Sequence, residues 1–204
     1  HLHLSLVDGD GRNVFHDAED ADGISATLRH AIGGVLERAP ELMLFYAPTV
    51  NSYRRTTSGE FSGNGLSWGF DSRMVSCRVL TESPESTRLE WRVPGADVDP
   101  YLAIAALLAS ALDGIETQSD PGEPLMGSDF ERPVTPLPAT LGEAVERFRE
   151  GSFAPEVLGK VDFLLVSIDP QRDTPAELAA FRKKRQLARA PWTFYAAYGF
   201  SNDD

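Results

Sequence analysis

Apolar and polar residues alternate over residues 1–8, HLHLSLVD. This predicts a strand with His1 and His3 on one face and Leu2, Leu4 and Leu6 on the other. Asp8-Gly-Asp-Gly-Arg then predicts a hairpin turn. From Asp22 to Ala39 the period lengthens, and Ile24, Leu28, Ile32, Val35 and Leu36 form one helical stripe that Pro40 is expected to end. Glu41 to Tyr46 continues as a short apolar helix up to Pro48. Asn51-Ser-Tyr-Arg-Arg55 reads as a polar loop. Thr56 to Gly65 is rich in Gly, Ser and Thr and reads as a site-covering loop. Strands are expected over Leu66–Phe70 and Val75–Leu80, joined by Asp71-Ser-Arg73.

The most informative stretch is Thr87 to Ile115, TRLEWRVPGADVDPYLAIAALLASALDGI. Its strand places Arg88, Glu90 and Arg92 on one face and Leu89, Trp91 and Val93 on the other. Charged groups in a row are costly to cover unless charge faces them, so the row suits a metal and an anion held together. Pro94, Gly95 and Pro100 turn the chain into a helix over Tyr101–Thr117. A proline-rich connector from Asp120 to Pro138 leads to Thr140-Leu-Gly-Glu143, which resembles a capping box opening a helix to Glu150. Beyond it the pattern changes. Val161–Ile168 reads as a buried strand, Asp169–Pro175 as a turn, Ala176–Leu187 as a helix and Trp192–Ala196 as another strand.

The chain has 204 residues with 42% hydrophobic and 25% charged residues, ordinary for a globular protein. Its net charge of −12 argues against nonspecific nucleic-acid or acidic-membrane binding. Within that acidic chain Arg73, Arg78, Arg88 and Arg92 form a local basic cluster, which points to an anionic ligand. His1 and His3 can share a metal or an anion, or simply face solvent on an edge strand. Arg54 and Arg55 can hold a carboxylate bidentately, or be solvated in their loop. The single cysteine, Cys77, allows no intrachain disulfide and reads as a small buried residue. No apolar run reaches the roughly 18–20 residues of a membrane span.

HLHLSL, ERAPEL, NSYRR, WGFDSR with an arginine five residues on, RLEWR, and DPYLAIAALLASALDGI occur in an order and at a spacing that resembles the C-terminal half of the glutamine synthetase catalytic domain. The resemblance covers about residues 1–159 and implies an α+β fold, a mainly antiparallel sheet with the site on one face and helices on the other. It further implies an ATP-dependent ligase that joins the glutamate γ-carboxylate to ammonia or another amine through γ-glutamyl phosphate. Mg²⁺ or Mn²⁺ would offset the phosphate charge. By the same resemblance His1 and Glu90 match metal ligands, and His3 lies near the nucleotide phosphates. Arg55 and Arg92 match the glutamate-holding arginines, while Arg73, Arg78 and Arg88 match those on phosphates, Arg73 also acting on the transferring group. The family is cytoplasmic and forms ring-shaped homo-oligomers, with no nucleic-acid or membrane partner implied.

Three departures qualify the resemblance. In ammonia-using members a loop glutamate helps bind and deprotonate ammonium; here an ungapped match puts Phe61 there, with Glu60 one residue early, where a slip of register would let it take the catalytic role. That loop and the WGFDSR segment favour the branch that ligates glutamate to larger amines. The family's N-terminal β-grasp domain and first catalytic strands have no counterpart, so the chain is expected to be a fragment, inactive alone. Residues about 161–196 resemble a strand, DPxRDTP turn and helix of the thioredoxin-like Sco copper chaperones, without the CxxxC pair. The domains expected are therefore 1–159, the partial synthetase domain, and 160–204, a strand–helix–strand tail or a divergent synthetase C-terminus. Two other functions compete: a non-catalytic remnant that keeps the fold, and a Sco-like redox protein.

Overall fold

A computed structural model describes residues 1–57, 65–126, 133–155, 163–167 and 192–196. The chain divides into two compact units, His1–Ala154 and Pro155–Asp204. In the first unit β1 (Leu2–Leu4), β2 (Trp68–Phe70), β3 (Cys77–Leu80) and β4 (Arg88–Trp91) form one sheet in the order β1-β4-β3-β2. β4 pairs antiparallel with both β1 and β3, as expected of a mainly antiparallel sheet, whereas β2 and β3 run parallel. Asp71, which leaves β2, has φ 45°, a left-handed conformation that Asp tolerates better than most residues, and its N–H donates to Val79 O at 2.9 Å.

Strand alternation sorts the sheet into two faces. Cys77, Val79, Leu89 and Trp91 are wholly buried on one. Against that face lies α1 (Ala26–Tyr46), whose Tyr46 ring meets Trp91 edge-on at 5.6 Å between centroids. α1 begins at Ala26 rather than Asp22, because Ser25 caps it by accepting from Leu28 N–H. It also continues through Pro40 as one helix instead of ending there. Proline removes one helical hydrogen bond, yet Leu42, Met43 and Tyr46 beyond it are buried, and their burial outweighs that loss.

α3 (Pro100–Thr117) starts on the Asp99 cap, which accepts from Tyr101 and Leu102 N–H, and puts Pro100 in the first turn. It packs on α1 where both helices carry glycine. A Cβ on Gly34 would lie 2.2 Å from Ser110 O, and one on Gly114 2.3 Å from His30 O. Asp113, inside α3, accepts from Arg38 Nε of α1 at 2.8 Å. α4 (Leu141–Glu150) opens on Thr140, which accepts from Glu143 N–H; the Glu143 carboxylate reaches back to Ala139 N–H at 2.8 Å.

The second unit contains β5 (Phe163–Ser167) and β6 (Trp192–Ala196), paired in parallel. The helix expected over 176–187 lies outside the described residues.

Candidate functional site

The polar face of the sheet carries the expected row. β1–β4 register sets His3 opposite Glu90, and β3–β4 register sets Arg78 opposite the same residue, so Glu90 is the middle of a cross-strand row. Glu90 is 4% exposed. Its Oε1 lies 2.9 Å from His1 Nδ1 and accepts from Arg92 Nη1 at 3.0 Å, and its Oε2 accepts from Arg78 Nη1 at 3.1 Å. His3 Nε2 stands off at 3.9 Å from Oε1. Burial pushes the Glu90 carboxyl pKa up, but the Arg78 hydrogen bond and the charge and hydrogen bond of Arg92 outweigh it and hold the group below its usual value.

The arginines divide by depth. Arg92 is 5% exposed. Arg78 spans two carboxylates: one end of its fork meets Glu90, the other pairs with Asp71 on the rim. The Asp71 hydrogen bond is the largest of the influences that raise the Arg78 pKa. Arg88 donates from Nε to His3 Nδ1 at 3.3 Å and from Nη1 to Ser86 O at 2.8 Å.

Asn51–Arg55 was expected to be a loop. Residues Ser52–Thr57 are instead a short helix, α2. Thr49 accepts from Ser52 N–H, and Asp97 accepts from Ser52 Oγ at 2.5 Å and Thr49 Oγ1 at 3.1 Å. The serine that starts α2 is therefore tied to the segment after β4. Arg55 on α2 donates to the carbonyl oxygens of Arg92 and Val93, and burial lowers its pKa. Arg55 and Arg92 thus meet at the end of β4.

The structure therefore brings together His1, His3, Glu90, Arg78, Arg88 and Arg92, with Arg55 adjoining. Arg73 is exposed in the turn ahead of β3 and has no ion pair among the described residues. Glu60 and Phe61 lie outside the described residues. Sequence reasoning missed two members of this network, Asp71 and Asp97. Asp71 lay inside the quoted WGFDSR motif, but its spacing to Arg78 makes sense only once β2 and β3 run parallel.

Among the described residues no group of three or more His, Cys, Asp or Glu side chains is placed to hold a metal ion. His1 and Glu90 converge, yet both Glu90 oxygens already accept from guanidiniums. A hard divalent cation takes about six oxygen or nitrogen donors, so this set fits part of one shell and not a whole one. The residues present do not by themselves constitute a metal site.

The family model for the glutamine synthetase catalytic domain matches residues 1–183. That span runs past residue 160, into the segment that resembles a copper chaperone, and the Sco resemblance finds no support. The chain is 40% identical over 157 residues to glutamate–isopropylamine ligase of a Pseudomonas species, covering 76% of this chain and 34% of that protein. It is also 40% identical over 159 residues to gamma-glutamylethanolamide synthetase of Streptomyces coelicolor, covering 78% and 34% respectively. Glutamine synthetase of Halobacterium salinarum is 37% identical over 168 residues, covering 78% and 37%. A solved structure of GmaS without ligand superposes with a TM-score of 0.68 at 32% identity, over 89% of this chain and 41% of that one. The chain thus spans about a third of the length of the curated relatives it matches. With that likeness in sequence and structure, the chain belongs to the glutamine synthetase catalytic-domain family.

Proposed function

We propose that this chain is the phosphate- and glutamate-handling part of an ATP-dependent ligase that joins the glutamate γ-carboxylate to an amine larger than ammonia. The observation that carries the reading is the row on β1, β3 and β4: one buried carboxylate flanked by Arg78 and Arg92, with Arg88 and Arg55 at its ends. Fixed guanidiniums in a partly buried face suit the charge of a transferring phosphoryl group and of a substrate carboxylate. Arg78 and Arg88 take the phosphate role and Arg55 and Arg92 the carboxylate role. By resemblance His1 and Glu90 would supply part of a metal's shell, and His3 would lie near the nucleotide phosphates. Arg73 is assigned to the transferring group by resemblance, from its position in the turn before β3. ATP would supply the phosphoryl group that activates the carboxylate, and Mg²⁺ or Mn²⁺ would offset the phosphate charge once ligands beyond this chain's complete the shell.

One relative is named for ligating isopropylamine and another for making gamma-glutamylethanolamide, and Phe61 takes the place expected of an ammonium-binding glutamate. Both support the larger amine. The donor count adds a condition: turnover requires metal ligands beyond His1 and Glu90. The test is phosphate release from ATP by this chain within a protein that supplies those further ligands, in the presence of glutamate, Mg²⁺ and a panel of amines, with Glu90→Ala as blank. Isopropylamine or ethanolamine exceeding ammonium supports the reading, and ammonium giving the fastest release overturns the choice of amine.

A further inference from the structure

The geometry points to Asp71 as a built-in competitor for the anion that Arg78 binds, a carboxylate that occupies the outer end of that guanidinium until a phosphate displaces it. The inference rests on the phosphate role given above to Arg78. Arg78 is 17% exposed and Asp71 79% exposed, so their contact sits where the fork emerges from the sheet. The inner end of the same fork is fixed on buried Glu90. An entering anion therefore has one end of Arg78 to approach, and Asp71 already lies against it.

Two features keep Asp71 there. Its left-handed backbone, with φ 45°, folds the chain back over β3, and its N–H is pinned to Val79 O, the residue after Arg78. The pair is nonetheless weak in the sense that matters, because an exposed ion pair is screened by water and salt. A phosphate with three acceptor oxygens replaces one carboxylate contact with several. While Asp71 stays, the guanidiniums of Arg78 and Arg92 are offset by the carboxylates of Glu90 and Asp71, and the group offers no net positive charge to an entering anion.

The test uses the full chain and inorganic pyrophosphate, with binding followed by isothermal titration calorimetry at fixed ionic strength. Asp71→Asn removes the charge and keeps a residue that accepts the left-handed conformation. It is expected to bind pyrophosphate about two- to fivefold more tightly than the parent, the fold-change equivalent to losing one exposed ion pair. The gain should vanish in Arg78→Lys, which keeps a positive charge beside Glu90 but lacks a fork to span both carboxylates. Near-ultraviolet circular dichroism establishes that each variant is folded. Equal or weaker binding by Asp71→Asn, when Arg78→Lys alone weakens binding, overturns the competitor role and leaves the phosphate role standing. Binding that is indifferent to Arg78→Lys, or absent from parent and Asp71→Asn alike, overturns both.

Discussion

Deleting the Glu90 side chain tests the core of the site. In Glu90→Ala the guanidiniums of Arg78 and Arg92 lose their shared acceptor, which they meet at 3.1 and 3.0 Å. Removing one member of a buried ion pair costs about 3–5 kcal/mol, because the remaining charge stays desolvated. Arg78 keeps Asp71, so the expected loss is near the lower end, about 3 kcal/mol. Glu90→Gln keeps one acceptor oxygen but sets an amide N–H₂ against a guanidinium. It forfeits the charge assistance of the two bonds, about 1 kcal/mol each. Urea unfolding monitored by circular dichroism, with midpoints and slopes compared at pH 7, measures both variants. The sign with pH follows from the depressed folded pKa: Glu90 contributes above the unfolded value near 4.5 and its contribution is lost as pH falls through the folded pKa. The gap between parent and Glu90→Gln should therefore close in acid. A Glu90→Ala variant within about 0.5 kcal/mol of the parent at pH 7 would refute the interlocked row.

Three other outcomes are expected. Gly34→Ala should destabilise by about 1–3 kcal/mol despite a helix-propensity gain of up to about 1 kcal/mol, because its Cβ would lie 2.2 Å from backbone of α3. Gly142→Ala, whose nearest neighbour is Thr140 Oγ1 at 3.8 Å, should instead stabilise by about 0.4–1 kcal/mol, and thermal melts of the two should shift in opposite directions. Mn²⁺ titration followed by electron paramagnetic resonance should give a dissociation constant no tighter than about 10⁻⁴ M, weakened further by His1→Ala; a micromolar site would mean that the described donors suffice.

Much of the site was legible because strand alternation is a local property. Arg88, Glu90 and Arg92 share a face for the same reason that Leu89 and Trp91 share the other, and spacing alone shows it. The ordered motifs extended this to His3 and Arg78, which lie on other strands, and to His1 just ahead of β1. What spacing could not show was decided between elements. Pro40 reads as a stop until burial of Tyr46 against Trp91 is weighed against one lost hydrogen bond. The NSYRR segment reads as a loop because it is polar, yet Asp97, far along the chain, anchors its first serine and turns it into a helix. Asp71 looked like turn chemistry because its partner Arg78 lies across a parallel pairing with a very short connection.

His3 stands on β1 and His1 directly precedes it; β1 is the end strand of the four-stranded sheet and is joined to it by three residue pairs with β4. A strand held so briefly opens at little cost, and its amides exchange with solvent ahead of those of β4. Any ligand gripping His1 and Glu90 together would stitch that strand to its neighbour. Occupancy of the site would then be recorded as slowed deuterium uptake at Leu2–Leu4, on the backbone itself, without a catalytic readout.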